Sequence, residues 1–141
     1  MIKLFYAVNT CSLASHIALE ETGAAYQTVR LSFADNEQRG AEYLAINPKG
    51  RVPAMVTDRG ILTETPAMLA YIAQSFPEAR LAPLDDPFAF AEVQAFNSYL
   101  CSTVHMSPMR TACAASAGLT IRPPSPRCSE RCRNRSARAS T

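Results

Sequence analysis

Apolar and polar positions change period several times over the first hundred residues. Ile2-Lys3-Leu4-Phe5-Tyr6-Ala7 is short, β-favouring and mostly apolar, the pattern of a strand buried on both faces. From Cys11 to Ala24, Leu13, Ala14, Ile17 and Ala18 share one helical face, with Ser15, His16 and Glu20 elsewhere and Gly23 as the stop. Between Gln27 and Phe33 the period falls to that of a half-buried strand, Val29, Leu31 and Phe33 alternating with Thr28, Arg30 and Ser32. A short helical run, Ala41–Ile46, is closed by the turn signal Asn47-Pro48-Lys49-Gly50. Pro53–Thr57 and Ile61–Thr63 flank Asp58-Arg59-Gly60 and predict a hairpin. Thr65 ahead of Pro66 predicts a helix N-cap followed by proline at the first helical position, and Met68, Leu69, Ile72 and Phe76 give that helix its apolar stripe.

Strand, helix, strand, helix, hairpin and helix within about 80 residues predict a mixed sheet. The first two strands pair in parallel across a helical crossover, and the hairpin adds antiparallel neighbours. The expected class is therefore α/β, a thioredoxin-like mixed four-stranded sheet with flanking helices over residues 1–80. Pro77 to Asp86 predicts an interdomain linker, and Phe88 to His105 a further helix with Val93, Phe96, Leu100 and Val104 on one stripe. Residues 81–106 are thus expected to hold the linker and the opening helix of an all-helical domain.

Charge separates the rest of the chain from this front portion. Residues 1–105 hold 7 Lys and Arg against 11 Asp and Glu, whereas residues 106–141 hold 7 Arg against a single Glu. The last 35 residues, 107–141, are rich in Arg, Pro and Ser and poor in large apolar groups, so disorder is expected there. The mixture is also what a GC-rich coding sequence read out of frame would give. Its Arg content would suit a nucleic-acid tail, but aromatic residues for base stacking are missing. Cys128, Cys132 and Cys113 have a poor spacing for zinc and no histidine nearby, so no metal is expected. No stretch approaches the roughly 20 apolar residues of a membrane span, and the N-terminus does not read as a signal peptide, so a cytoplasmic location without membrane association is expected. In that reducing setting the five cysteines are expected to be mostly free thiols.

Three places carry candidate chemistry. Cys11 falls between the first strand and the first turn of the helix, where unpaired N–H groups and the helix dipole favour an anion; a buried, inert thiol is the other reading. Val52-Pro53 lies between a tight turn and a strand, a setting where a cis bond occurs and where the Val52 backbone could pair with an extended peptide. Glu64 and Thr65 open a helix, so that N–H groups and a hydroxyl could hold a carboxylate while Glu64 takes an ammonium; a plain helix cap is the alternative. Together they suit a small peptide with an amino-acid head, an extended middle and a thiol near Cys11.

Three segments, Cys11-Ser12-Leu13-Ala14-Ser15-His16-Ile17-Ala18-Leu19, Asn47-Pro48-Lys49-Gly50-Arg51-Val52-Pro53-Ala54 and Thr63-Glu64-Thr65-Pro66-Ala67, resemble the N-terminal signatures of bacterial beta-class glutathione transferases. The resemblance covers about 80 residues in the family's order. It implies glutathione as co-substrate, with Cys11 beside its sulfur, Val52 and Pro53 at its cysteinyl backbone, and Glu64 with Thr65 at its γ-glutamyl end. It also implies a catalytic histidine on the next helix, and His105 occupies the matching place. Tyr6, at the end of the first strand, is expected to pack.

The resemblance implies transfer of the glutathione thiol to a small electrophile, a detoxification reaction, by a homodimer when the helical domain is complete. Glutathione-dependent disulfide reduction is the alternative within enzymes, and a glutathione- or partner-binding module without turnover the alternative outside them. Relatives place a basic residue after the second strand for the glycine carboxylate. Phe33 to Gln38 offers none, leaving Arg39 as the substitute.

Overall fold

A computed structural model describes residues 1–105, and the tail considered above lies outside the described residues. The chain divides into a unit Met1–Cys101 and a second beginning at Ser102. In the first unit, strand β1 (Ile2–Tyr6) is flanked by β2 (Tyr26–Arg30) and β3 (Ala54–Thr57), and β4 (Gly60–Thr63) completes the order β2-β1-β3-β4. β1 and β2 are parallel, Leu4 opposite Thr28, while β1 with β3 and β3 with β4 are antiparallel, Leu4 opposite Met55 and Ala54 opposite Thr63. This is the mixed four-stranded sheet that the element order predicts.

The crossover between β1 and β2 is helix α1 (Ser12–Thr22), ended by Gly23 in the left-handed region. Helix α2 (Ala41–Ile46) precedes β3, α3 (Thr65–Ser75) follows β4, and α4 (Pro87–Tyr99) follows a connection containing Pro77–Ala79 as a 3-10 turn. A π-helical turn, Leu100–Val104, extends α4. Successive strand residues point to opposite faces, so Leu4 and Phe5 feed two different cores. Leu4 and Met55 join Leu19 of α1 with Met68 and Ile72 of α3; Phe5 and Ala54 join Ala7, Leu31, Tyr43 of α2 and Val52.

The face of α1 differs from the sequence expectation. Leu13 and Ile17 are 60% and 51% exposed, while Ser12, Ser15 and Leu19 are buried. Small side chains let the helix lie close to the sheet, and both serines find partners: Ser12 on the Ala7 backbone, and Ser15 Oγ donating to Met68 Sδ at 3.6 Å. Apolar spacing alone could not show this, because the buried hydroxyls carry the polar signature of a solvent face. Phe33 also lies outside its predicted strand, since β2 ends at Arg30, and it is exposed. On α4 it is Ala89, Phe90, Val93, Gln94 and Asn97 that are partly covered, with Leu100 just beyond its end, whereas Phe96, predicted on the inward stripe, is 60% exposed. The N-terminus of α4 is fixed by Asp86, whose carboxylate accepts from the N–H groups of Phe88 and Ala89 at 2.9 and 3.1 Å, with Pro87 in the first turn.

Candidate functional site

The connection from β1 to α1 is shaped by two hydroxyls. Ser12 Oγ, fully buried, donates to the Ala7 carbonyl at 3.1 Å and accepts from the Ala7 N–H at 3.3 Å. Thr10 Oγ1 donates to the same carbonyl at 2.9 Å and lies 2.6 Å from Ser12 Oγ. This knot holds Cys11 as the residue capping α1, half-buried at the C-terminal end of β1. The expectation of unpaired donors there is corrected: the N–H groups of Ser12, Leu13 and Ala14 are taken by Thr10 Oγ1 and by the carbonyls of Thr10 and Cys11. The dipole of α1 still points its positive end at Cys11.

A second polar knot shapes residues 47–53. The carbonyl of Arg51 accepts from Tyr43 Oη and Asn47 Nδ2, both at 2.6 Å, and Asn47 Oδ1 accepts from the Lys49 N–H at 3.2 Å. Asn47 and Tyr43 are almost fully buried, and burial pushes the Tyr43 phenol up while the neighbouring Asn47 amide opposes the shift. Gly50 sits at φ +59°, where a Cβ would lie 3.0 Å from the Gln38 carbonyl and 3.4 Å from Arg39 Cδ, so only glycine closes this turn against the segment before α2. The Val52-Pro53 bond is cis. Cys11 Sγ donates to the Val52 carbonyl at 3.5 Å, which joins the two knots. Among the described residues no backbone carbonyl takes the Val52 N–H.

The third segment enters from β4. Glu64, not Thr65 as the sequence suggests, is the residue capping α3, and it makes no side-chain cap bond. Its φ of +72° is unfavourable for a residue with a Cβ, at a cost of about 1–3 kcal/mol, and such outliers concentrate at functional sites. The conformation turns the Glu64 carboxylate away from its own helix, toward Lys49 Nζ at 2.7 Å; Lys49 also donates to Thr63 Oγ1 at 3.4 Å. Thr65 follows as the first helical residue, and Pro66 has no N–H to offer.

Cys11 and Val52 are therefore brought together, and Glu64 with Thr65 stands beside the same loop through Lys49. His105 is exposed and belongs to the unit beginning at Ser102. Tyr6 packs its ring on His16 at 5.2 Å between centroids. Sequence reasoning missed Lys49, Tyr43 and Asn47 as supports; the turn signal was legible, but which side chains tie it down depends on the tertiary fold. No group of three or more His, Cys, Asp or Glu among the described residues could hold a metal ion, and no helix there is long and apolar enough to cross a membrane. Chemically, a thiol, a backbone edge and a carboxylate at a helix start suit an extended peptide bearing an amino-acid head.

Residues 1–74 match the family described as "Glutathione S-transferase, N-terminal domain". The chain belongs to this family. It is 38% identical over 107 residues to the glutathione S-transferase GstA of Escherichia coli O157:H7, a match that covers 74% of this chain and 53% of that protein. Among solved structures, a glutathione transferase homologue from Sulfitobacter with bound glutathione is 48% identical with a TM-score of 0.71, covering 75% of this chain and 51% of that one. A bacterial beta-class glutathione S-transferase from Sphingomonas chungbukensis is 44% identical with a TM-score of 0.67, covering 74% of this chain and 53% of that one. The chain thus spans about half the length of the relatives it matches. In family terms, the cis-proline loop and the residue of positive φ before α3 both belong to the matched N-terminal domain.

Proposed function

We propose that this chain binds glutathione at the C-terminal end of β1 and serves glutathione transfer, in which the glutathione sulfur attacks an electrophilic carbon and expels its leaving group. The observation that carries the reading is the convergence on one loop of Cys11 Sγ, the Val52 backbone and the Glu64 carboxylate. The cysteinyl part of the ligand adds as a strand along Val52 and Pro53, using the N–H that no backbone carbonyl takes. The γ-glutamyl carboxylate is held by the Thr65 hydroxyl and N–H at the positive end of α3, and its ammonium by Glu64. Arg39 takes the glycine end in this reading, as the substitute for the missing cation between Phe33 and Gln38. Cys11 is then beside the ligand's sulfur. The bound glutathione in the Sulfitobacter relative supports the ligand choice. The electrophile and a homodimeric assembly belong to the same proposal by analogy with complete transferases.

Glu64→Ala and Thr65→Ala should each weaken glutathione binding by about 1–3 kcal/mol, because each removes a partner of a charged head group. Calorimetric titration of the full chain with glutathione measures this. If both variants bind as tightly as the parent, the head-group site is wrong and the transfer reading falls with it.

A further inference from the structure

The carboxylate assigned to the ligand's ammonium already holds one. Lys49 Nζ lies 2.7 Å from Glu64 Oε1 and 3.4 Å from Thr63 Oγ1, and among the described residues no other cation pairs with Glu64. Both backbones are set for this meeting. Lys49 projects from the turn of residues 47–50, where its own N–H bonds to the Oδ1 of buried Asn47 at 3.2 Å and Gly50 takes φ +59°. Glu64 stands at φ +72° and makes no side-chain bond to its own helix start, so its charge is offered across 15 residues to Lys49. The lysine head and the α-ammonium of a peptide are the same kind of cation, a charged primary amine whose N–H groups all donate. The two side chains are 53% and 63% exposed, so the pair is open to an incoming ligand, and an ion pair in water is weak enough to be exchanged.

We propose that Lys49 is a specificity-determining residue of the glutathione site, a resident counter-ion of Glu64 that the ligand's α-ammonium displaces on binding. The inference rests on the glutathione reading above and deepens it. In the exchange one primary ammonium replaces another, so Glu64 stays neutralised while Lys49 swings on its flexible four-carbon stem into solvent. A head group carrying an ammonium can make this exchange. A head group with a carboxylate alone cannot, and it meets a Glu64 whose charge Lys49 keeps masked. Lys49 thus competes with the ammonium of glutathione and, at the same time, spares an anionic head the repulsion of a bare carboxylate. Its removal must therefore act in opposite directions on the two kinds of ligand, which loss of a merely structural contact would not do.

The test is calorimetric titration of the reduced full chain with glutathione and with glutaryl-cysteinyl-glycine, the same peptide without its α-amino group. Lys49→Met keeps the stem and removes the charge, and the turn stays tied by the main-chain N–H groups of residues 49 and 50. Lys49→Gln is a second uncharged variant. Both should tighten glutathione binding by about two- to fivefold, the strength of an exposed ion pair, and weaken binding of the peptide without the amino group. Lys49→Arg should bind both peptides as the parent does. Glu64→Gln should weaken glutathione binding, and adding Lys49→Met to it should no longer tighten that binding. If the uncharged variants leave glutathione binding unchanged or weaken it while Glu64→Gln still weakens it, the exchange is overturned and the glutathione reading stands. Equal tightening of both peptides is a general charge effect and overturns the exchange too. A parent chain that binds neither peptide, or a Glu64→Gln chain that binds glutathione as tightly as the parent, removes the head-group site and the exchange with it.

Discussion

On the face of the sheet covered by α1 and α3, Leu4, Leu19, Met55, Met68 and Ile72 are completely inaccessible, all from apolar packing. On the face covered by α2, a shorter helix, Phe5, Leu31 and Val52 keep 8–9% exposure, and the buried set depends on Tyr43 and Asn47 holding the Arg51 carbonyl. The two faces divide the labour. Dispersion and burial of apolar area make the first face tolerant of nothing smaller but indifferent to direction. Hydrogen bonds are directional, so the second face can hold the loop of residues 47–53 in the one shape that presents the Val52 backbone. The loop that carries the candidate site is thus built on the side whose buried set depends on hydrogen bonds.

The largest effect expected from this difference is at Ile72. Ile72→Ala should cost about 2–5 kcal/mol of stability, through lost transfer energy and the cavity left behind. Urea unfolding of the full chain measures it, and Phe96→Ala on the exposed side of α4 is the control, expected to stay within about 0.5 kcal/mol. A similar loss at both positions would mean that α4 is as firmly packed as α3, and the contrast between well-buried and poorly buried elements would fail.

Gly50 sharpens the comparison from the other side. Gly50→Ala places a Cβ against the Gln38 carbonyl at 3.0 Å in a left-handed conformation, and should cost about 1–3 kcal/mol. Because the strain falls on the loop that carries Val52, glutathione affinity should fall in the fraction that remains folded, whereas Ile72→Ala should leave the affinity of folded protein nearly unchanged. Calorimetry at a temperature where both variants are folded separates the two. Equal loss of affinity in both would show that the faces are not independent.

How much of this was legible before folding follows the same division. The order of elements, the two-sided burial of β1 and the Met68–Ile72 stripe are set by hydrophobic period, and period is a property of sequence. The inward face of α1 was misread because Ser12 and Ser15 are buried through hydrogen bonds to partners 5 and 53 residues away, which no local pattern contains. Cys11, Val52, Pro53, Glu64 and Thr65 were legible as three motifs whose chemistry converges. The role of Glu64 as the capping residue, and its pairing with Lys49, were not, because both depend on a positive φ and on a contact across 15 residues.

The smallest effect concerns two tyrosines, one belonging to each face. Tyr26 packs beside the Leu4–Ile72 cluster, and its hydroxyl donates to Glu20; burial first, then the bond and charge of Glu20, push its phenol up from 10.0 to about 12. Tyr43 on the α2 face is shifted in the same direction by burial. In each case the folded state holds the phenol proton more tightly than the unfolded chain does. The resulting stability is therefore complete below about pH 10, the ordinary tyrosine range, and for Tyr26 is lost as the pH rises from there through about 12. Near neutral pH Tyr26→Phe should change stability little, since it removes one surface bond, whereas Tyr43→Phe removes a part-buried bond to Arg51 and should cost about 0.5–1.5 kcal/mol. Urea unfolding at about pH 8 and about pH 11 then tells the faces apart. Each variant should lose less stability than the parent between the two conditions, because the phenol that would ionise is gone. If neither substitution reduces the alkaline loss, the tyrosines are not its source and the assignment of one titrating phenol to each face is wrong.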